Sequence, residues 1–279
     1  MKKSKMNSVC SADIELRLRP AFSDIDSFMA LVEHFIETLP DYAPERWNLV
    51  EPINKPFDLA TIRELMPRPG YNYDFWWKRV SKPKGLGWFY KRKVTPRYTS
   101  HAAHSMTLDV RRSDIERLTG YLKSASSRFG MDYGYCDSMV ESYRAYSRQA
   151  LSGDSFYCGF PLTRWLPDLR WAQVFGPPYV RLFGLEKLLS APAYKVEQIG
   201  PEAVYLQLSE SLFDMHEQYE LVDAERQKVK AHLDDNIFFD PKKSVHYLER
   251  VNDTGPRHMT ASLILPEDHL YRTPVFEFE

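Results

Sequence analysis

Several features that commonly identify a protein's function are missing from this chain. It contains no stretch of about 18 apolar residues, which excludes an ordinary membrane-spanning helix, and its first residues lead into charged sequence rather than an apolar signal core. The phosphate-binding glycine-rich loop, the GxGxxG dinucleotide motif and the GxSxG motif of serine hydrolases are also missing. We therefore expect a cytoplasmic protein that is not an enzyme and needs no cofactor.

Side chains that bind metals or form disulfides are scarce. The three cysteines, Cys10, Cys136 and Cys158, are far apart and include no CxxC pair, so we expect free thiols in a reducing compartment. His101 and His104 are the only close histidine pair, and a helix would place both rings on one side. Because the glutamate of an HExxH motif is missing and no third ligand is evident, we predict no metal site.

Composition indicates a folded globular chain. Of its 279 residues, 43% are hydrophobic, 27% are charged and 14% are aromatic, which is too apolar and too aromatic for a disordered protein. We expect a flexible N-terminus over residues 1–11. Residues 12–279 then form a single large domain, or two fused halves with a sub-boundary near residue 111.

A strong charge asymmetry lies behind a formal net charge of −1. Residues 68–97 contain nine basic side chains and one acidic side chain, whereas residues 197–240 contain eleven acidic and three basic ones. The molecule is therefore expected to have a positive and a negative pole, either of which could attract a partner.

Hydrophobic periodicity predicts an α+β fold with mostly antiparallel sheet and packed helices. Alternation over residues 14–18 predicts a strand with one buried face, and aromatic stretches at 71–80 and 86–94 predict a hairpin. Helical spacing predicts helices that begin at Ser23, at residue 59 and at Asp114. Gly130 is placed to end the last of these helices in the left-handed conformation. Further predicted elements are strands at 105–110, 194–199, 203–208, 261–265 and 274–278 and helices at 139–150 and 213–233.

The basic aromatic hairpin over residues 71–97 suggests an alternative function, that of a nucleic-acid-binding module. Its residues Phe75, Trp76 and Trp77 in one strand and Trp88 in the other alternate with lysine and arginine, as in a stacking platform for single-stranded nucleic acid. The alternative is a strand pair with one face in the core and lysines that protect an exposed edge. A near-neutral pI of about 6.7 favours the structural alternative.

The C-terminal half carries a family resemblance. It rests on the segments FGMDYG at residues 129–134, WAQVFGPPYVRLFGLEKLLSAPA at 171–193 and VYLQLS at 204–209. Together they resemble immunity family fifty-two of bacterial polymorphic toxin systems, which includes the immunity partner of the type VI secreted nuclease effector TseT. The resemblance implies an α+β cytoplasmic protein without catalytic residues that binds and neutralises a cognate toxin, often a nuclease of the restriction-endonuclease fold.

Charge and exposed aromatic side chains indicate which surface would contact such a toxin. A nuclease has a cationic cleft, so an acidic surface can compete for that cleft or accelerate capture. The predicted acidic helix supplies the first candidate surface, whose residues are Asp214, Glu217, Glu220, Asp223 and Glu225. An ordinary solvated helix face explains the same spacing. The second candidate surface is the hairpin with Trp76, Trp77 and Trp88, because aromatic anchors are common at protein interfaces.

Overall fold

One large antiparallel sheet organises the protein. The structure, a computed structural model, describes residues 9–19, 25–66, 73–91, 101–138 and 168–238. The strands in these ranges are β1 Cys10–Leu18, β2 Arg46–Asn48, β3 Lys55–Pro56, β4 Tyr73–Arg79, β5 Gly85–Lys91, β6 Ala102–Val110, β7 Met131–Asp137, β8 Ala172–Phe175, β9 Lys195–Gly200 and β10 Ala203–Gln207. They form a single ten-stranded sheet in the order β3-β2-β4-β5-β6-β1-β7-β8-β10-β9, and all neighbouring strands are antiparallel.

Seven α-helices accompany the sheet within the described ranges. They are α1 Ile25–Thr38, α2 Leu59–Leu65, α3 Ile115–Phe129, α4 Pro177–Phe183, α5 Leu185–Leu189, α6 Asp214–Glu217 and α7 Tyr219–Leu233. Helices α1 and α3 contact each other, and α3 also contacts β7, β8 and β9. The predicted α+β class is therefore confirmed. No helix in the part of the chain that the structure describes is both long enough and apolar enough to cross a membrane.

The central strand β1 is more deeply buried than its sequence predicts. It pairs with β6 on one side and β7 on the other, so strands that precede and follow residue 111 belong to one sheet. Alternation predicted one buried face, yet Glu15 and Arg17 on the second face are also buried. They form an ion pair with each other, which offsets part of the cost of removing both charges from water.

Aromatic packing fixes β4 and β5 against α1. The ring of Phe28 lies 5.5 Å from that of Phe75, and the ring of Phe35 lies 4.9 Å from that of Trp77. Trp77 and Phe89 are fully buried in the same cluster. This packing confirms the predicted hairpin and orients one of its faces toward the core.

The start of α3 depends on one buried carboxylate. Asp114 accepts hydrogen bonds from the Tyr42 hydroxyl at 2.8 Å, the Arg111 backbone N–H at 2.9 Å and the Arg117 guanidinium at 2.9 Å. At the other end, Gly130 has φ 66°, the left-handed conformation predicted for it. Both ends of the predicted helix are thus explained by local chemistry.

Several predicted elements differ from the structure. The predicted helix over residues 213–233 is two helices, α6 and α7, because Gln218 leaves the helical conformation at φ −140° and ψ 38°. Strands β7 and β8 were not predicted, and the strand predicted at 105–110 begins earlier, at Ala102. The elements predicted at 139–150, 261–265 and 274–278 lie outside the described residues.

Candidate partner-binding surfaces

The five residues of the first candidate surface are divided between two helices. Asp214 and Glu217 belong to α6, whereas Glu220, Asp223 and Glu225 belong to α7. The break at Gln218 means that they do not share the flank of one continuous helix. The predicted single acidic face is therefore wrong in its geometry, although the residues remain neighbours in the chain.

Tertiary contacts explain the break. The Arg112 guanidinium lies 4.3 Å from the centre of the Phe213 ring and forms an ion pair with Glu217. These contacts hold α6 against the segment that precedes α3, while buried Val222 and Val229 direct α7 into the core. Packing thus overrides the continuous helical period that the sequence suggests.

Most of these carboxylates are bound within the protein itself. Asp214 accepts a hydrogen bond from the backbone N–H of Ser211 at 3.1 Å. Glu217 pairs with Arg112, Asp223 with Arg226 at 2.6 Å, and Glu225 with Lys228 at 2.6 Å. Among the described residues, Glu220 alone of the five is in neither an ion pair nor a side-chain hydrogen bond.

The charge of α7 is also balanced along its length. The helix contains three acidic and three basic side chains, so its formal charge is zero. Arg226 is fully buried and donates to the carbonyl oxygen of Leu169 at 2.9 Å, which ties the helix to the chain before β8. The negative pole is therefore weaker on this helix than the residue count over 197–240 suggests.

The hairpin divides its aromatic residues between two faces. Trp77 is buried, and its indole N–H donates to His104 Nε2 at 3.2 Å, so this residue belongs to the core and not to a surface. Trp76 and Trp88 are half-buried on the opposite face, directly across from each other, with ring centres 4.9 Å apart. Trp76 and Trp88 thus lie together on one surface, whereas buried Trp77 cannot be a surface anchor.

The outward face of the hairpin contains further side chains that the sequence did not single out. Lys78 and Leu86 are cross-strand neighbours next to the two tryptophans. Residues 80–84 form the turn, in which Val80, Lys82 and Lys84 are exposed. We call Trp76, Lys78, Leu86 and Trp88, together with residues 80–84, the hairpin face.

Glu45 holds the turn of the hairpin in place. Its carboxylate accepts the backbone N–H groups of Val80 at 2.9 Å and Ser81 at 3.1 Å, and it pairs with Arg79 at 3.4 Å. Hydrogen bonds from the Ser81 hydroxyl and from these N–H groups lower the pKa of Glu45 to about 2, so the carboxylate stays charged over the physiological range. The turn is thus fixed before any partner binds.

The close histidine pair does not have the helical arrangement that was considered for a metal site. His101 and His104 lie on an extended segment rather than a helix, and they take different partners. His101 Nε2 is 3.0 Å from Asp132 Oδ2, whereas His104 Nδ1 is 2.8 Å from the Tyr121 hydroxyl. Because Trp77 donates to His104 Nε2, the His104 proton is on Nδ1, and burial holds the pKa of His104 well below its usual value. No cluster of three metal-binding side chains occurs in the described ranges.

Buried charged and aromatic side chains also form a row on the face of the sheet that includes Trp76 and Trp88. The sequence did not predict this row. The Arg17 guanidinium lies 5.3 Å from the Tyr90 ring, and the Tyr135 hydroxyl donates to Glu15 at 3.3 Å. The Arg170 guanidinium lies 4.7 Å from the Tyr135 ring. These contacts among the groups offset part of the cost of removing their charges from water.

The described cysteines are free thiols, as the sequence predicted, and both are buried. Burial raises the pKa of Cys10 to about 12, and burial also raises the pKa of Cys136. Both thiols are therefore protonated at neutral pH and poor nucleophiles. Cys158 lies outside the described residues.

Comparison with known proteins supports the architecture. No family model matches the chain, and no curated protein matches it. Among solved structures, the chain is similar to the Pseudomonas aeruginosa T6SS protein PA0821, with a TM-score of 0.52 and 12% sequence identity. The similarity covers 96% of this chain and 93% of that one. At this identity the likeness shows a shared fold.

Proposed function

We propose that this protein is an immunity protein of a type VI secretion system, which binds a cognate toxin and neutralises it by direct contact. The observation that carries the proposal is the likeness in fold to a T6SS protein over nearly the whole length of both chains. The family resemblance of residues 129–134, 171–193 and 204–209 favours the inhibitor role within such a system, because it implies a protein that neutralises a cognate toxin. The toxin we expect is a nuclease.

The structure explains why the resembling segment is informative about fold. Gly176 lies so close to β7 that an added Cβ would be 1.8 Å from the carbonyl oxygen of Met131. The rings of Phe175, Tyr179 and Phe183 pack together next to it, with centres 5.3–6.3 Å apart. The segment therefore has tight steric requirements, which is why we interpret its resemblance to immunity proteins as a likeness of fold.

Co-expression in a sensitive host tests the proposal. The product of the gene adjacent to this one is expressed alone, with this chain, and with the Gly176→Ala variant as a control expected to be strongly destabilised. Survival only with the intact chain, together with co-purification of the two proteins, is the expected result. Death of the host despite a soluble intact chain would overturn the proposal, and survival without a complex would favour an enzymatic or nucleic-acid-protecting role.

A further inference from the structure

We propose that the hairpin face is the surface by which this protein contacts its protein partner, and that the partner presents an acidic surface with an apolar centre. The inference rests on the proposed function, because it concerns the surface through which neutralisation occurs. It also chooses between the two candidate surfaces. The hairpin face has three properties of an interface: exposed apolar side chains, lysines without an ion pair among the described residues, and a rigid support.

Apolar side chains are concentrated on the hairpin face. Leu86 is 43% exposed and Val80 is 57% exposed, and the half-buried rings of Trp76 and Trp88 belong to the same hairpin face. The outer face of an antiparallel sheet is ordinarily polar, so this group of aromatic and aliphatic side chains is unusual. Leu221 on α7 is also exposed, at 63%, but it follows Glu220 on a helix of balanced charge. Isolated exposed leucines are common, whereas a tryptophan pair with apolar neighbours is typical of an interface centre.

Lysines supply the positive charge of the hairpin face. Within the described ranges, Lys78, Lys82 and Lys84 form no ion pair, while Arg79 is neutralised by Glu45. The carboxylates of the first candidate surface show the opposite condition, because most of them are already bound within the chain. Positive charge on the hairpin face is therefore available for a partner, and its complement is an acidic surface.

The hairpin face is also preorganised. Its inner side packs Phe75 and Trp77 against α1, and Glu45 fixes the turn through two backbone N–H groups. Binding therefore orders little of the backbone, which lowers the entropic cost of association. A flexible loop with the same residues would bind more weakly for this reason.

The arrangement favours a protein partner over single-stranded nucleic acid. The rings of Trp76 and Trp88 contact each other across the strands, tilted by 33°, instead of standing apart as separate platforms for successive bases. Lys82 and Lys84 are in the turn at one end of the hairpin, so they do not follow a path beside the rings as a backbone-tracking groove would. A compact apolar centre with lysines at its margin fits a protein interface better.

Matched surface variants test the inference. Affinity of the purified full chain for the product of the adjacent gene is measured by calorimetry at low and high salt, with the variants Lys82→Glu/Lys84→Glu and Leu86→Asp. Their matched controls on the first candidate surface are Glu217→Lys/Glu220→Lys and Leu221→Asp. All substituted side chains are exposed, so thermal melts are expected to confirm folding in every case.

We expect each hairpin variant to weaken binding by about tenfold or more, and the double lysine variant to lose most of the salt dependence. The controls are expected to change affinity by less than about threefold. Full affinity of the folded hairpin variants would overturn the assigned surface while leaving the proposed function intact. Failure of the unaltered chain to bind and to protect would overturn the proposed function and the assigned surface together.

A fluorescent single-stranded oligonucleotide serves as the second probe. We expect no salt-sensitive binding to the unaltered chain. Binding that the Lys82→Glu/Lys84→Glu variant abolishes would overturn the choice of a protein partner and assign the hairpin face to nucleic acid.

Discussion

Replacing Asp114 with asparagine is expected to destabilise the protein in a pH-dependent way. Asp114 is fully buried and accepts hydrogen bonds from Tyr42, from the Arg111 backbone and from Arg117. Burial alone would raise the pKa of Asp114, but these hydrogen bonds outweigh it and lower the pKa from 3.8 to about 2. The folded protein therefore holds the charged carboxylate more tightly than the unfolded chain does.

The size of the effect follows from the pKa shift. One pKa unit corresponds to about 1.4 kcal/mol, so the shift is equivalent to about 2 kcal/mol. The Arg111 and Arg117 side chains are 48% and 40% exposed, and solvent screening reduces the expected contribution to about 1–2 kcal/mol. Because the folded-state pKa is depressed, this stabilisation is complete above about pH 4 and is lost as the pH falls through about 2.

Urea unfolding at pH 7 and at pH 3 measures this contribution. We expect Asp114→Asn to lower the free energy of unfolding by about 1–2 kcal/mol at pH 7 and by about half as much at pH 3. The control is Asp26→Asn, which removes an exposed ion pair with Arg63 and is expected to cost less than about 0.5 kcal/mol. Equal losses of unfolding free energy in Asp114→Asn and Asp26→Asn would refute the reasoning. So would a loss in Asp114→Asn that is as large at pH 3 as at pH 7.

Two other predictions concern stability and thiol chemistry. Gly176→Ala is expected to lower the free energy of unfolding by about 3 kcal/mol or more, since its Cβ would clash with the Met131 carbonyl. Gly120 lies in α3, where an added Cβ would meet no atom within 4 Å, so Gly120→Ala is expected to raise the free energy of unfolding by up to about 1 kcal/mol. Equal melting temperatures for the two glycine variants would contradict both expectations. Because burial raises the pKa of Cys10 to about 12 and also raises that of Cys136, iodoacetamide is expected to label both only after unfolding, and rapid labelling of the native protein in peptide mass spectra would disprove this.

Local patterns predicted much of the fold. Alternation in the hairpin predicted that one of its faces is buried. Once the register with β5 is known, the same alternation places Trp77 on the buried face and its neighbour Trp76 on the outward face. The left-handed glycine at residue 130 was predicted from its position after a helical stretch. These features depend on residues close together in the chain, so a single sequence contains the necessary information.

Features that depend on distant contacts could not be predicted. The break between α6 and α7 arises from Arg112, which lies about a hundred residues earlier in the chain, in contact with Phe213 and Glu217. Strand β7 lies between β1 and β8, so its residues are buried on both faces and show no alternation of apolar and polar side chains. It also includes Gly134 and contains none of the β-branched residues that indicate a strand. Of the ion pairs that bind the acidic residues, Arg112–Glu217 depends on a distant contact and could not be predicted. The pairs Asp223–Arg226 and Glu225–Lys228 join residues three apart on α7, so the sequence spacing already contained them.

Titration of this protein against its partner tests the central claim most directly. The purified chain is added in known amounts to the purified product of the adjacent gene, and the toxin's remaining activity is measured at each ratio. Direct neutralisation predicts a linear loss of activity with an endpoint at a fixed stoichiometric ratio, which matches the ratio found in the co-purified complex. Loss of activity at far smaller, catalytic amounts, or full activity in the presence of a large excess, would contradict the account.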